Sequence, residues 1–503
     1  MSDAGRKLAA LAILVIGAGL LWFARGSSDE AAAAKQQMDS SISAARELAA
    51  SQDPRLKTTY SFERGGWVYV HLEGDPSTLG FQHGFMLGPE IEDAYAAVSA
   101  GMMHSTKRDW PFFRQVAREQ LWPKLDPEYQ QELQGIAEGL HARTGSSLDV
   151  YDIVAFNSFE EVPDYYVPWL DKQEKKPNPP NLKSPGNCSA FVATGSWTKT
   201  GEIVIAHNNW TSYMNGERWR IIFDIQPAHG HRILMDGFPG VIASDDDFGI
   251  NDDGLMVTET TISQFEGWNP NGKPEFMRAR KALQYADSID DYTRIMLDSN
   301  NGGYANDWLL GDRKTGEIAQ FELGLKAWKL WRTKDGVLYG SNWARDPKVL
   351  KLDAPQFDSN DMQTSPNARR VRWEQLLNEN KGKIDVALAQ QMLGDHFDTY
   401  DKKTQANERT LCGHVDVNSR AIPIWGWAPY YPGGAVQGKA ADSTMAKEMR
   451  LVARMGHPCG EDFHAKPFLD AHPEYAWQQP YLRDMPAGPW TFFSSDEQRP
   501  VSH

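Results

Sequence analysis

The sequence predicts a layered α+β fold, and three observations carry that expectation. Residues 53–165 read as one strand followed by a run of helices. From Cys188 to about Leu323 the chain turns to one short β-rich segment after another, separated by turn residues such as those from Asn251 to Gly254. Helical patterns interrupt and flank these runs of antiparallel strands, which points to a layered α+β architecture. The chain has 503 residues, 41% of them hydrophobic, with 18 Trp, 17 Tyr and 21 Phe. That is enough for two or three ordinary domains or one large core with insertions. No internal repeat is present.

Taken in order, Arg6 and Lys7 precede an apolar run from Leu8 to Phe23, and Ala24-Arg25-Gly26 follows. The run is shorter than the ~20 residues of a bilayer-spanning helix and suits an export signal. Residues 1–26 are therefore expected to be a signal peptide, cleaved, or kept as a signal anchor that associates with the membrane through residues 8–23. Either way the body is exported, periplasmic or secreted. Residues 27–52, rich in Ala, Ser, Gln and Glu, read as a stalk. The alternation from Gly66 to Leu72 predicts a strand. Helices are expected around Glu90 to Met103, from Asp126-Pro127-Glu128 to Ala142, and from Gly145 to about Phe159, which makes 53–170 an α-rich N-terminal segment.

Residues 171–187 are charged and proline-studded, with no apolar periodicity, and are expected to be a mobile, exposed linker. Beyond it, 188–503 would form the catalytic chain. Cys188 to Thr194 and Glu202 to His207 predict two strands joined by a turn through Gly195 to Gly201. Further strands are expected at Trp219–Ile225, Arg232–Asp236, Gly240–Ser244, Gly254–Ile262 and Asp307–Asp312. Helices are expected at Pro274–Tyr285, Ile289–Asn300, Ala368–Asn380, Lys383–Leu393 and, last, Ala441–Met455.

The net charge of −15, from 52 basic and 67 acidic residues, argues against a nucleic-acid partner. The three cysteines are Cys188, Cys412 and Cys459. In an oxidising compartment, a Cys412–Cys459 bridge would leave Cys188 as the free thiol. A cysteine that opens a core strand behind a loose linker suits a chain that cuts itself between Asn187 and Cys188, because the freed α-amino group can serve as the base for its own thiol. His207, Asn208 and Asn209 sit one hairpin away and return to that thiol, His207 to polarise it or a bound carbonyl, an asparagine to donate to an oxyanion. Asp245-Asp246-Asp247 lacks His or Glu at ligand spacing, so neither metal nor cofactor is expected.

Together, Asn187-Cys188-Ser189-Ala190, the block from Ala206 through His207, Asn208, Asn209, Trp210 and Thr211 to Tyr213, Pro239-Gly240 with Asp246-Asp247-Phe248, and Gly254 through Glu259-Thr260-Thr261-Ile262 resemble the phospholipase B-like family of N-terminal-nucleophile hydrolases. That group includes penicillin acylase-type and acyltransferase relatives. A weaker match follows at Tyr431 to Gly434, and the resemblance spans roughly residues 60–480. It implies a four-layer αββα sandwich, two antiparallel sheets flanked by helices, made as a precursor and cut before the cysteine. It implies Cys188 as nucleophile, with His207, Asn209, Thr211 and Thr260 around it. Asn208, Trp210 and Asn342 are further pocket candidates, Asn342 on position alone. Thr211 stands where acyltransferase relatives carry Asp.

The expected activity is hydrolysis of an acyl ester or amide in a small, lipid-like substrate through a thioester. The alternatives are an acyltransferase or N-acyl amide hydrolase on the same scaffold, a non-catalytic membrane-tethered binding protein, and a metal-dependent hydrolase. Oligomeric state is not legible.

Overall fold

The computed structural model describes residues 52–175, 188–245, 248–495 and 497. The export segment, the stalk up to residue 51, the linker from 176 to Asn187, and Asp246 and Asp247 lie outside the described residues. Among the described residues the architecture is mixed α+β, built on two main sheets.

The larger sheet has nine strands. Its members are β1 (Tyr60–Arg64), β2 (Trp67–Gly74), β5 (Ile221–Pro227), β6 (Ile233–Gly237), β7 (Gly249–Asn251), β8 (Leu255–Thr261), β9 (Asn306–Asp312), β10 (Glu317–Leu323) and β11 (Trp328–Thr333), neighbours in that order. The smaller sheet has six, in the order β12 (Gly336–Gly340), β3 (Cys188–Thr194), β4 (Val204–Ser212), β15 (Gly433–Asp442), β16 (Arg450–Met455) and β17 (Thr491–Ser494). A two-stranded ribbon, β13 (Phe397–Asp398) with β14 (Lys403–Thr404), completes the set. The pairing of β2 with β5 is parallel; the others in the two sheets are antiparallel.

Two large cores organise these elements. One joins alternate residues of the larger sheet (Val68, Val70, Phe223, Val257, Leu310) to the helices Pro76–Met86, Gly88–Thr106 and Pro127–Thr144 through Leu79, Ile91 and Ile136. The other holds the opposite set from that sheet (Ile222, Leu234, Met256, Leu309) together with Val192 and Ile205 of the smaller sheet, and includes Trp373 and Leu377 from the helix Ser365–Glu379. Every residue of β3, β4 and β8 is buried. Strands buried on both faces lose the apolar–polar alternation, which is why they read as continuous runs.

Three expectations are corrected. Ala441–Met455 is not one helix: β15 ends at Asp442, a short helix Ser443–Lys447 capped by the Asp442 side chain follows, and β16 begins at Arg450. Ala, Met, Lys and Glu favour helix locally, but pairing between β4 and β17 overrides that preference. Gly240–Ser244 forms no strand; it follows a turn closed by Val241 N–H donating to the Phe238 carbonyl. The linker does not begin at Asp171, which is buried in the helix Val167–Gln173 and pairs with Arg108. None of the described helices is long and apolar enough to cross a membrane, and the Leu8–Phe23 run lies outside the described residues.

Candidate active site

The hairpin of β3 and β4 sets the geometry. Cys188 lies opposite Asn209, and Ala190 opposite His207. Residues directly opposite on paired strands share a face, and the period of two puts His207 on the same face as Asn209. From β8, in the other sheet, Glu259 meets them. Cys188 Sγ, a ring nitrogen of His207 and a carboxylate oxygen of Glu259 all lie within 4.8 Å of one another, and all three residues are buried. Tyr304 Oη donates to Glu259 Oε1 at 3.3 Å, and the Asn306 amide, placed nitrogen-inward, donates to Glu259 Oε2 at 3.0 Å. A Cys–His–carboxylate grouping can move a proton off sulfur and stabilise the imidazolium that results.

The main-chain nitrogen of Cys188 is held by a hydrogen bond. It donates to Asn342 Oδ1 at 3.2 Å. Asn342 Nδ2 donates to the Thr261 carbonyl at 3.0 Å, which fixes the amide's orientation. Asn342 has φ of 71°, a left-handed conformation that Asn tolerates better than most residues. The same Oδ1 accepts from Arg369 Nη2 at 2.7 Å, while Arg369 Nη1 donates to the Cys188 carbonyl and to Ser189 Oγ, both at 2.7 Å. Burial draws the Arg369 guanidinium down to about 9, with the Cys188 sulfur pulling the other way, so it remains a cation at neutral pH.

Asn209 Nδ2 and Thr260 Oγ1 are among the buried polar atoms that stand without a hydrogen-bond partner among the described residues. Thr260 stands against Gly340, where any Cβ would fall 2.1 Å from Thr260 Oγ1. Gly340 in turn pairs with Ala190 of β3. Glycine is thus what lets the hydroxyl approach the strand that begins with Cys188.

Thr211 and Ser212, at the end of β4, form part of the wall of a cavity of about 540 Å³. Met102, Phe159, Trp425 and Trp427 supply apolar surface there, and Glu160 and Asp164 supply carboxyls. Burial raises Glu160 to about 7. Burial, then the neighbouring Glu160 charge, raises Asp164 well above the ordinary aspartate value.

Of the residues singled out in the sequence, Cys188, His207 and Asn209 share one face, Asn342 touches Cys188, Thr260 adjoins β12, and Thr211 faces the cavity. Asn208 and Trp210 take the opposite face of β4, where Asn208 Nδ2 donates to the Leu393 and Leu411 carbonyls and Trp210 Nε1 to Leu411. Asn187 lies outside the described residues. Glu259 falls within a predicted strand, and its place between two threonines gives no local sign that it approaches Cys188. Arg369 was missed for the same reason, as one of several arginines on a helix. Cys412 and Cys459 are both free, so the expected bridge between them is not formed.

The family model for phospholipase B matches residues 101–338. Among curated proteins, phospholipase B-like protein F of Dictyostelium discoideum is 32% identical over 26% of this chain and 24% of its own length. Putative phospholipase B-like 2 of Rattus norvegicus is 30% identical over 29% of this chain and 27% of its own. An uncharacterized protein of Archaeoglobus fulgidus is 26% identical over 50% of this chain and 42% of its own. The chain thus spans about a quarter to two-fifths of the length of these relatives.

Proposed function

The chain belongs to the phospholipase B-like family, and on that footing we propose that it is a self-processing cysteine hydrolase of the N-terminal-nucleophile type. It would be a four-layer αββα sandwich that opens an acyl ester or amide bond in a lipid-like substrate. The observation that carries this reading is the double hold on Cys188: its sulfur meets His207 and Glu259, and its main-chain nitrogen meets Asn342.

In a chain cut before Cys188, that nitrogen becomes an amine, and the Asn342 amide oxygen keeps one N–H so that its lone pair can turn to the thiol. The amine takes the thiol proton, and Sγ bonds to the acyl carbon. The carbonyl electron pair moves onto oxygen, where Asn209 Nδ2 and Thr260 Oγ1 donate to it. As that pair returns, the C–O or C–N bond breaks and the leaving group takes the proton from the ammonium. Water then adds to the thioester and gives its proton to the amine. The C–S bond breaks, the acid leaves, and the thiolate recovers its proton. The apolar wall of the cavity beside Thr211 suits an acyl chain, and its two carboxyls, largely uncharged below neutral pH, do not oppose it. Export by residues 1–26 completes the proposal.

N-terminal sequencing of the large fragment from purified protein tests it. Cys188 as the first residue is expected. The Cys188→Ala variant is expected to run as a single band on a denaturing gel and to release no acid from acyl esters. A wild-type preparation that hydrolyses such esters with the peptide across 186–189 intact would exclude the mechanism.

A further inference from the structure

We propose that His396, Cys412, His414 and Cys459 form a structural zinc site that fastens three loops together behind β4. One ligand atom from each residue, two Sγ and two ring nitrogens, all lie within 4.8 Å of one another. His414 Nε2 stands 3.6 Å from Cys412 Sγ and 3.5 Å from Cys459 Sγ. With Zn–S near 2.3 Å and Zn–N near 2.0–2.1 Å, a tetrahedral site separates neighbouring sulfur and nitrogen by about 3.5–3.6 Å. The observed spacing is that of two edges of such a tetrahedron.

The surroundings fit a ligand set as well. His414 aims Nε2 at the sulfurs and turns Nδ1 toward Glu461 Oε2, 4.0 Å away. At that distance the carboxylate is a charge near the imidazole and not a hydrogen-bond partner that fixes its tautomer. The His414 ring also stacks on His457 at 3.9 Å between centroids, and His457 is anchored in turn by Nδ1 donating to the Ala435 carbonyl at 2.6 Å. Two thiolates with two imidazoles select zinc among abundant divalent ions, and four protein donors close its coordination sphere. No position is left for a reacting water, which separates this role from the chemistry at Cys188.

Its place in the fold gives it a purpose. Cys412 N–H donates to the Asp395 carbonyl, next to His396. The Leu411 carbonyl accepts from Asn208 and Trp210, the residues of β4 that face away from His207 and Asn209. Between Cys412 and His414, any side chain at Gly413 would fall 1.8 Å from the Trp210 ring. The ion would therefore tie the segment after the helix Val386–Leu393, the loop carrying Cys412 and His414, and the turn after β16 against the back of the strand whose front holds the candidate catalytic residues. The competing chemistry is a Cys412–Cys459 disulfide, which would use both sulfurs and leave the imidazoles idle.

The test uses the full chain as processed, purified without chelators. Elemental analysis is expected to find about one zinc per chain, and cobalt exchanged into the site is expected to show thiolate charge-transfer and tetrahedral d–d absorption. Cys412→Ser and Cys459→Ser are expected to lose the zinc, while Cys459→His, which keeps a donor, retains it. Zinc stoichiometry and thiol alkylation of the wild type keep the test independent of how the variants fold. Metal-free protein with a Cys412–Cys459 peptide in the non-reduced map overturns the proposal. So does metal-free protein with both thiols alkylated, or zinc that persists in Cys412→Ser.

Discussion

A buried amide nitrogen and a buried hydroxyl, Asn209 Nδ2 and Thr260 Oγ1, have nothing to donate to among the described residues, and their cost is explained if an oxyanion completes them in the transition state. Asn209→Ala and Thr260→Val are each expected to lower kcat on a nitrophenyl acyl ester by about 10²–10³-fold with KM nearly unchanged, as loss of an oxyanion donor does. Equal losses in KM would mark ground-state binding instead. At Glu160 the prediction concerns pH. Its folded pKa, raised from 4.5 to about 7 by burial, means that the folded chain keeps a proton that the unfolded chain has released across that window. The stability it contributes is full below pH ~4.5 and is lost as pH rises toward ~7. Glu160→Gln should therefore melt at a higher temperature than wild type at pH 8, by a margin on the order of 1–2 kcal/mol, and by little or none at pH 4.5. Paired thermal melts at the two pH values check it. Cys188, His207 and Asn209 were legible because one hairpin carries all three, so sequence neighbours become spatial ones. His396 and Cys459 were not, because nothing in the 63-residue interval that separates them hints at the approach of their side chains.

Between elements, a buried ion pair ties the two main sheets together. Lys439 Nζ on β15 lies 2.7 Å from Asp236 Oδ2 on β6, both side chains wholly buried, and Ser244 Oγ donates to the other carboxylate oxygen at 3.1 Å. The pair joins the smaller sheet to the larger one beside His207, which stands opposite Lys439 in register. Removing one partner strands a buried charge, so Lys439→Met is expected to cost about 3–5 kcal/mol, read as a lowered denaturation midpoint. Lys439→Met combined with Asp236→Leu should recover most of that loss, because a matched apolar pair carries no such penalty. This same strand shows where sequence reasoning fails at the element scale. The hairpin of β3 and β4 was readable from its own β-branched residues and turn glycines. β15 is mostly Gly and Ala with one Val, β16 mixes Arg, Leu, Val, Ala and Met, and they become strands because β4 and β17 offer edges on either side.

For the whole molecule, a cut before Cys188, if the chain is processed as proposed, must not divide the structure. The N-terminal segment contributes β1 and β2 to the larger sheet, and β2 pairs with β5 in register from Val68 opposite Ile221 to Gly74 opposite Pro227. It also contributes the helices whose Leu79, Ile91 and Ile136 share a core with Phe223, Val257 and Leu310. Arg280 Nη1 and Glu132 Oε1, both buried, meet at 2.9 Å across the same boundary. A cut chain should therefore elute as one species in native gel filtration, with both fragments in the same peak, and separate only in denaturant. If the cut leaves the folded contacts in place, the unfolded state still gains freedom when its two halves are no longer joined. The processed protein should then melt at a midpoint that falls on dilution, whereas the uncut Cys188→Ala chain should melt independently of concentration and at the higher temperature. Calorimetry over a hundredfold range of concentration distinguishes the two behaviours, and fragments that part in native buffer would show that the sheet does not hold across the cut.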